Sequence, residues 1–372
     1  MTLPINQSFQ QPAQGMNKLT RSFVVHSETF TDSDGYFNAI RPGSMFKQYK
    51  VLALLGQGSF GRVLHVENQQ GKQYAAKVAR QQKIFRESCE REATIMRSIE
   101  DTNITAKIIE TFDYQGHFFI IMELLNQSLS KHLRARRSGI SLTELKPIIK
   151  KMAQWFLVFK QRNLIHTDIK PDNIMVSEDG EFQLIDFGSA VRFEQDKLHS
   201  YIQSRWFRAP EVLYRLRYSF PIDMWSFGCL IFEMHKLQPV FPSNSSHMLC
   251  RQMFTLLGTP PQFFLVQNGK MREESKRFFV QSDYYFYSQH LEQMDELQIA
   301  KQDKFYPSEA VLKAVGRPQC ELRHLRYEIE NPYLRETKDD YESYYEMLQG
   351  LLTYDPASRW SPEQLLNCKF LK

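Results

Sequence analysis

The stretch His166-Thr167-Asp168-Ile169-Lys170-Pro171-Asp172-Asn173, followed in order by Asp186-Phe187-Gly188 and Ala209-Pro210-Glu211, decides how this chain is read. Asp168, Asn173 and Asp186 supply hard oxygen atoms. Such oxygens are candidate proton acceptors and candidate ligands for a hard cation.

Working upstream, Gly56-Gln57-Gly58-Ser59-Phe60-Gly61-Arg62-Val63 is the next signal. The same glycine spacing opens the helix of a dinucleotide-binding unit. Here Val63-Leu64-His65-Val66 follows and reads as strand, so the glycines join two antiparallel strands. Such a hairpin can lay backbone N–H groups over phosphates, with Phe60 at its tip as a shield from water. An ordinary glycine hairpin has the same pattern. Lys77 lies in the apolar run Ala75-Ala76-Lys77-Val78, where a lysine is usually a snorkelling or edge residue. Glu92 shares a helical face with Ile84, Ser88 and Met96, whereas Glu90 points about 200° away. A lysine held by Glu92 presents a fixed positive charge to phosphate oxygens.

Composition is 42% hydrophobic and 24% charged over 372 residues, which excludes a wholly disordered chain. No run approaches the roughly 18 apolar residues of a membrane helix. The polar, Gln-rich N-terminus resembles neither a secretory signal nor a transit peptide, so a cytoplasmic and/or nuclear location is expected. The net charge of +5 is spread along the chain and gives no reason to expect nucleic-acid binding. Cys89, Cys229, Cys250, Cys320 and Cys368 form no C-x-x-C pair, which argues for reduced thiols rather than disulfides or zinc.

Residues 1–31 read as a flexible tail, and 32–48 as an extended segment lying on the folded body. From Tyr49 the pattern is β-like through Val51–Leu55, Val63–Val66, Tyr74–Val78 and Phe118–Met122, with a helix over Ile84–Ile99 between them. After Asn126 it turns helical, over Leu142–Gln161, Asp223–His235, Tyr341–Leu352 and Pro362–Phe370. The fold class is α+β, a small β-rich lobe before a larger helical one. Residues 260–345 are charged, aromatic and poorly periodic.

Taken together, these motifs resemble the catalytic loop, metal-binding turn and P+1 loop of eukaryotic protein kinases. The resemblance covers about residues 45–372. It implies the bilobal kinase fold over 49–372, with an N-lobe at 49–122, a hinge at 123–125, and a C-lobe at 126–372 carrying a divergent insert near 260–345. It implies ATP and Mg²⁺ as cofactors, Ser/Thr-containing protein substrates, no membrane, and a monomer. Asp168 would accept or orient the substrate hydroxyl proton, Lys170 would stabilise the transferring group, and Asn173 and Asp186 would hold metal. Lys77, locked by Glu92, would contact the α- and β-phosphates. Leu55, Val63, Ala75 and Met175 would wall the adenine pocket beneath Gly56, Gln57, Gly58, Ser59, Phe60 and Gly61. Met122 falls at the gatekeeper position, and Glu123 to Leu125 at the hinge. Asp223 would anchor the catalytic loop, and Glu211 would pair with Arg359.

Within kinases, Tyr201-Ile-Gln-Ser204-Arg205-Trp-Phe-Arg208-Ala-Pro-Glu211 resembles the dual-specificity tyrosine-regulated family, close to the LAMMER and homeodomain-interacting kinases. Ser/Thr substrates before proline are implied, with tyrosine modified only in cis. Thr167 stands where most regulated kinases carry arginine, so phosphate on Tyr201, paired with Arg205 and Arg208, is expected to order the activation loop instead. An active kinase and a catalytically silent interaction module are the two function classes. The presence of Lys77, Glu92, Asp168, Asn173 and Asp186 together favours the first.

Overall fold

Alternation of side chains builds the first lobe. Its six strands are β1 (Met45–Phe46), β2 (Tyr49–Gly58), β3 (Gly61–Glu67), β4 (Gln73–Ala79), β5 (Ile108–Tyr114) and β6 (His117–Glu123). They form one antiparallel sheet in the order β1-β2-β3-β4-β6-β5. In this computed structural model the described residues are 30–193, 202–258, 260–268, 270–277, 279–282, 285–288, 325, 326 and 328–372. The tail reading for 1–31 therefore lies almost wholly outside them, as does Tyr201.

One face of the sheet carries Leu64, Val66, Ala76, Val78, Phe119 and Ile121 into an aromatic core with Phe37, Phe46 and Tyr49. Phe37 meets Phe119 edge-on with centroids 5.1 Å apart. Its segment is tied down further by Arg62, which pairs with Asp32 and donates to the Phe37 carbonyl. The other face packs on α1 (Lys83–Ser98) through Ala79, Ile120, Cys89 and Ala93. Gly61 is required where β3 meets β4, since a Cβ there would lie 2.0 Å from the Val78 carbonyl oxygen.

The second lobe is helical. α2 (Leu129–Arg134) is followed by α3 (Leu142–Gln161), which starts at a capping box between Ser141 and Glu144. Leu145, Ile149, Met152, Phe156 and Phe159 recur at helical spacing along the buried face of α3. After α4 (Pro210–Leu213), α5 (Pro221–Lys236) is buried nearly all round and forms the centre of the lobe. α6 (Ser246–Leu257), α7 (Gln262–Leu265), α8 (Lys338–Leu351) and α9 (Pro362–Leu366) follow. The sequence pattern carries the last helix to Phe370, but α9 stops at Leu366. There Asn367 turns its amide back onto the Glu363 carbonyl, and a separate 3-10 turn covers Lys369–Leu371.

Between 260 and 345 the described residues include two short hairpins, Val266–Gln267 with Lys270–Met271 and Phe279–Ser282 with Tyr285–Ser288. Cys89, Cys229, Cys250 and Cys368 are buried free thiols, and Cys320 lies outside the described residues. Among the described residues no helix is long and apolar enough to cross a membrane.

Candidate active site

A two-residue strand, Leu164–Ile165, delivers His166, Thr167 and Asp168 to the face between the lobes. Asp223, at the start of α5, accepts the backbone N–H groups of His166 (2.7 Å) and Thr167 (2.9 Å). Burial pushes the Asp223 carboxyl up to about 7 against the pull of those two donors. Thr167 and Asp186 have φ of 69° and 65°, in the left-handed region that non-glycine residues occupy only when their surroundings over-determine it. The buried His166 ring accepts at Nδ1 from the Asp168 N–H, which assigns its proton to Nε2, facing the Ile185 carbonyl. Burial depresses this imidazole to about 4, so it is neutral and structural.

Asp168 is held from several sides. Oδ2 accepts from Lys170 Nζ at 2.7 Å and from the Asn173 amide at 3.0 Å, while Oδ1 accepts from the Ser204 backbone N–H at 3.0 Å. Lys170 also donates to the Ser204 hydroxyl at 3.0 Å. The carboxylate is thus oriented by its own loop and by the segment that precedes Ala209-Pro210-Glu211. Ser204 lay inside a stretch used for the family likeness, and its role in holding Asp168 was not read from sequence.

Across the cleft, Lys77 on β4 lies 2.7 Å from Glu92 Oε1 on α1 and 3.0 Å from Asp186 Oδ1. Burial works against the Lys77 charge, but the Glu92 and Asp186 carboxylates outweigh it and raise the ammonium above its ordinary value. The same ammonium, opposed by burial, holds Asp186 below the usual carboxylate range. Glu90 pairs with Arg86 instead, on the exposed side of α1. Ala75 and Lys77 share one face of β4, and the sheet register sets Val63 opposite Lys77 and Met122 opposite Ala75. Leu55 stands half exposed within β2, and Met175 is half-buried in the strand Ile174–Val176. At the expected hinge, the Glu123 N–H donates to the Lys107 carbonyl and is thereby already used.

These residues fit a magnesium nucleotide. A Cβ added to Gly56 or Gly58 would meet nothing within 4 Å, so the hairpin leaves open space where phosphates would lie. Asn173 uses its side-chain nitrogen on Asp168, and its backbone carbonyl accepts the Ile185 N–H at 2.8 Å, which brings its loop beside Asp186. Phe60 stands at the tip of the hairpin, 41% exposed. Its ring packs edge-on against Phe85 of α1, with centroids 5.9 Å apart, an apolar contact available at the exposed hairpin tip.

Deeper in the second lobe, Arg359 forms a two-pronged pair with Glu211 at 2.6 and 2.9 Å, both side chains almost wholly buried. Arg208 is buried and donates to the Ile202 and Gln203 carbonyls, and Arg205 reaches the Asn244 carbonyl. Sequence reasoning missed Glu233. Its carboxyl on α5 is raised to about 7, chiefly by burial and then by the charge of Asp172, and its Oε2 has no partner among the described residues. The signal was a lone acid in the apolar run Ile231-Phe232-Glu233-Met234.

The two lobes, the buried lysine–glutamate pair and the oriented Asp168 together define a phosphoryl-transfer fold. Residues 49–371 match the protein kinase domain, and the chain belongs to the protein kinase family. Its α+β, two-lobed architecture is that family's. Among its relatives, it is 33% identical over 282 residues to rat (Rattus norvegicus) dual specificity tyrosine-phosphorylation-regulated kinase 3, covering 72% of this chain and 47% of that protein. It is 28% identical to dual specificity protein kinase YAK1 of Saccharomyces cerevisiae, covering 90% of this chain and 43% of the relative. Serine/threonine-protein kinase ppk15 of Schizosaccharomyces pombe is 27% identical, covering 98% and 70%. The chain spans about half the length of the dual-specificity relatives it matches.

Proposed function

We propose that this chain is a catalytically active, ATP- and Mg²⁺-dependent protein kinase acting on serine and threonine. The observation that carries the reading is Asp168, whose two oxygens are aimed by Lys170, Asn173 and Ser204 while Lys77 is already paired with Glu92. Magnesium would neutralise developing charge on the phosphates, with Asn173 and Asp186 as its protein ligands. The chain's own residues do the rest. Lys77 fixes the nucleotide phosphates, Asp168 orients the substrate hydroxyl and takes its proton, and Lys170 meets the charge on the transferring group.

An open groove of about 800 Å³ is lined by Lys170 and Ser204, the two residues that hold Asp168, and by Asp172, Trp206, Pro242 and Met248 among others. The Trp206 ring, 43% exposed and fixed through its N–H to the Ser243 carbonyl, is an apolar wall suited to a proline after the acceptor. The dual-specificity relatives support modification of Tyr201 in cis. Arg205 supports it too, since its Nε is buried without a partner among the described residues. Incubation with Mg²⁺ and labelled ATP tests the function. Phosphate incorporation by wild type and its loss in Asp168→Asn is expected; equal incorporation in both defeats the assignment. Mass spectrometry of active protein made in bacteria tests Tyr201, and an unmodified residue there would sink that part.

A further inference from the structure

Immediately after Asp186, two hydroxyl groups from opposite lobes meet consecutive carbonyls. Ser88 Oγ on α1 donates to the Gly188 carbonyl at 2.9 Å. Thr167 Oγ1, in the catalytic loop, donates to the Ser189 carbonyl at 2.9 Å. Both side chains are buried. Ser88 lies one helical turn before Glu92 on the same face, so one stripe of α1 serves both Lys77 and the turn that carries Asp186. The surroundings are close. A Cβ on Gly188 would lie 3.3 Å from Asp186 Oδ1, 3.6 Å from Glu92 Oε2 and 3.8 Å from Ser88 Oγ. Glu92 also accepts the Phe187 N–H.

We propose that Ser88 and Thr167 are positioning residues that hold Asp186 in its working orientation, one from each lobe. Both hydroxyls are spent on backbone carbonyls of the turn. A buried hydroxyl must bond to something, and that requirement alone accounts for one such contact. It does not account for two hydroxyls converging on adjacent carbonyls, two and three residues beyond a left-handed metal ligand. Asp186 at φ 65° has no local preference for its conformation, so the restraint has to come from its neighbours. The Ser88 bond makes the inward position of α1 and the shape of the turn one event. The Thr167 bond ties that turn to the loop bearing Asp168 without using a phosphate.

The inference rests on the kinase reading, and the test separates the two. In the full chain, wild type is compared with Ser88→Ala, Ser88→Thr, Thr167→Val and Thr167→Ser. Losing one hydroxyl-to-carbonyl bond is expected to lower kcat about fivefold to tenfold while the peptide KM stays constant. The Mg²⁺ concentration for half-maximal nucleotide binding rises in Ser88→Ala and Thr167→Val, and amides 187–190 exchange hydrogen faster without nucleotide. The hydroxyl-retaining variants Ser88→Thr and Thr167→Ser recover both properties. Unchanged Mg²⁺ dependence and unchanged amide protection in Ser88→Ala and Thr167→Val would overturn the proposal. So would Ser88→Thr and Thr167→Ser variants as impaired as those without the hydroxyl. A wild type that transfers no phosphate refutes the kinase reading instead, and amide exchange then still decides whether the clamp exists.

Discussion

Lys77 and Asp186 stand 109 residues apart in sequence and on different lobes, yet their Nζ and Oδ1 atoms are 3.0 Å apart. The contact exists because Glu92 has already taken the lysine from the side, on a helix whose preceding turn carries Ser88. One ammonium therefore reports on the strand, the helix and the turn that carries Asp186 together, and these three elements fix the position of its charge.

Replacing that charge should be costly to turnover. Lys77→Met removes a preorganised cation and leaves Glu92, whose side chain is 3% exposed, without its partner. Phosphate transfer is expected to fall about 100-fold or more, the scale seen when one preorganised electrostatic contact is lost. Lys77→Arg should not rescue it, because a planar fork does not replace a point charge between two carboxylates. Single-turnover rates at saturating ATP check this, and a Lys77→Met enzyme within tenfold of wild type would contradict it.

Asp168→Asn isolates the proton-accepting role. The amide has nearly the shape of the carboxylate, and its single oxygen keeps either the Lys170 contact made to Oδ2 or the Ser204 N–H contact made to Oδ1. The expected result is a kcat loss of about 100- to 10,000-fold, the range for removing a positioned general base. The melting temperature should stay within a few degrees. A large fall in melting temperature with a small loss of rate would make Asp168 a structural residue.

Much of this site was legible because its chemistry is carried by short, rigid stretches. The choice of Glu92 over Glu90 followed from helical geometry alone, and the structure pairs Glu92 with Lys77 and Glu90 with Arg86. The helix over Leu142–Gln161 could be read to the residue because Ser141 and Glu144 cap it and its apolar face repeats evenly. The contact of Phe60 with Phe85 was not legible, because Phe85 is brought near only by the packing of α1 on the sheet. Ser88 and Ser204 were missed for a related reason. A serine has no pattern of its own, and its role depends on which carbonyl or carboxylate the fold brings to it.

The Glu211–Arg359 pair makes a prediction about stability rather than rate. Their side chains are 1% and 0% exposed, and Arg359 also donates to the Thr353, Tyr354 and Pro221 carbonyls. Removing the arginine alone strands a buried carboxylate, so Arg359→Met should destabilise the fold by about 3–5 kcal/mol. Adding Glu211→Gln to that variant should recover part of the loss, because an amide is cheaper than a charge to leave without its partner. Urea denaturation of the two variants and wild type checks both statements. A double variant less stable than Arg359→Met would show that Glu211 matters for contacts other than the pair.

The two titrating groups beneath the catalytic loop act in opposite directions on acid stability. His166 titrates near 4 in the fold because burial disfavours its charge, against an ordinary value of 6.5. The unfolded chain therefore takes up a proton that the folded chain refuses, and the stability this group contributes is lost as pH falls from 6.5 to about 4. Asp223 is raised by burial from 3.8 to about 7, so the folded chain holds a proton that the unfolded chain releases. Its contribution is lost as pH rises across that interval. Each slope is bounded by one proton, about 1.4 kcal/mol per pH unit, so between pH 4 and 6.5 the two nearly cancel in a global measurement. A site-specific readout is needed. The His166 ring signal in a proton NMR titration should remain that of a neutral imidazole at pH 5.5 and move only near 4. A midpoint close to 6.5 would mean the ring is exposed, and that Asp168 is not seated on a buried neutral histidine.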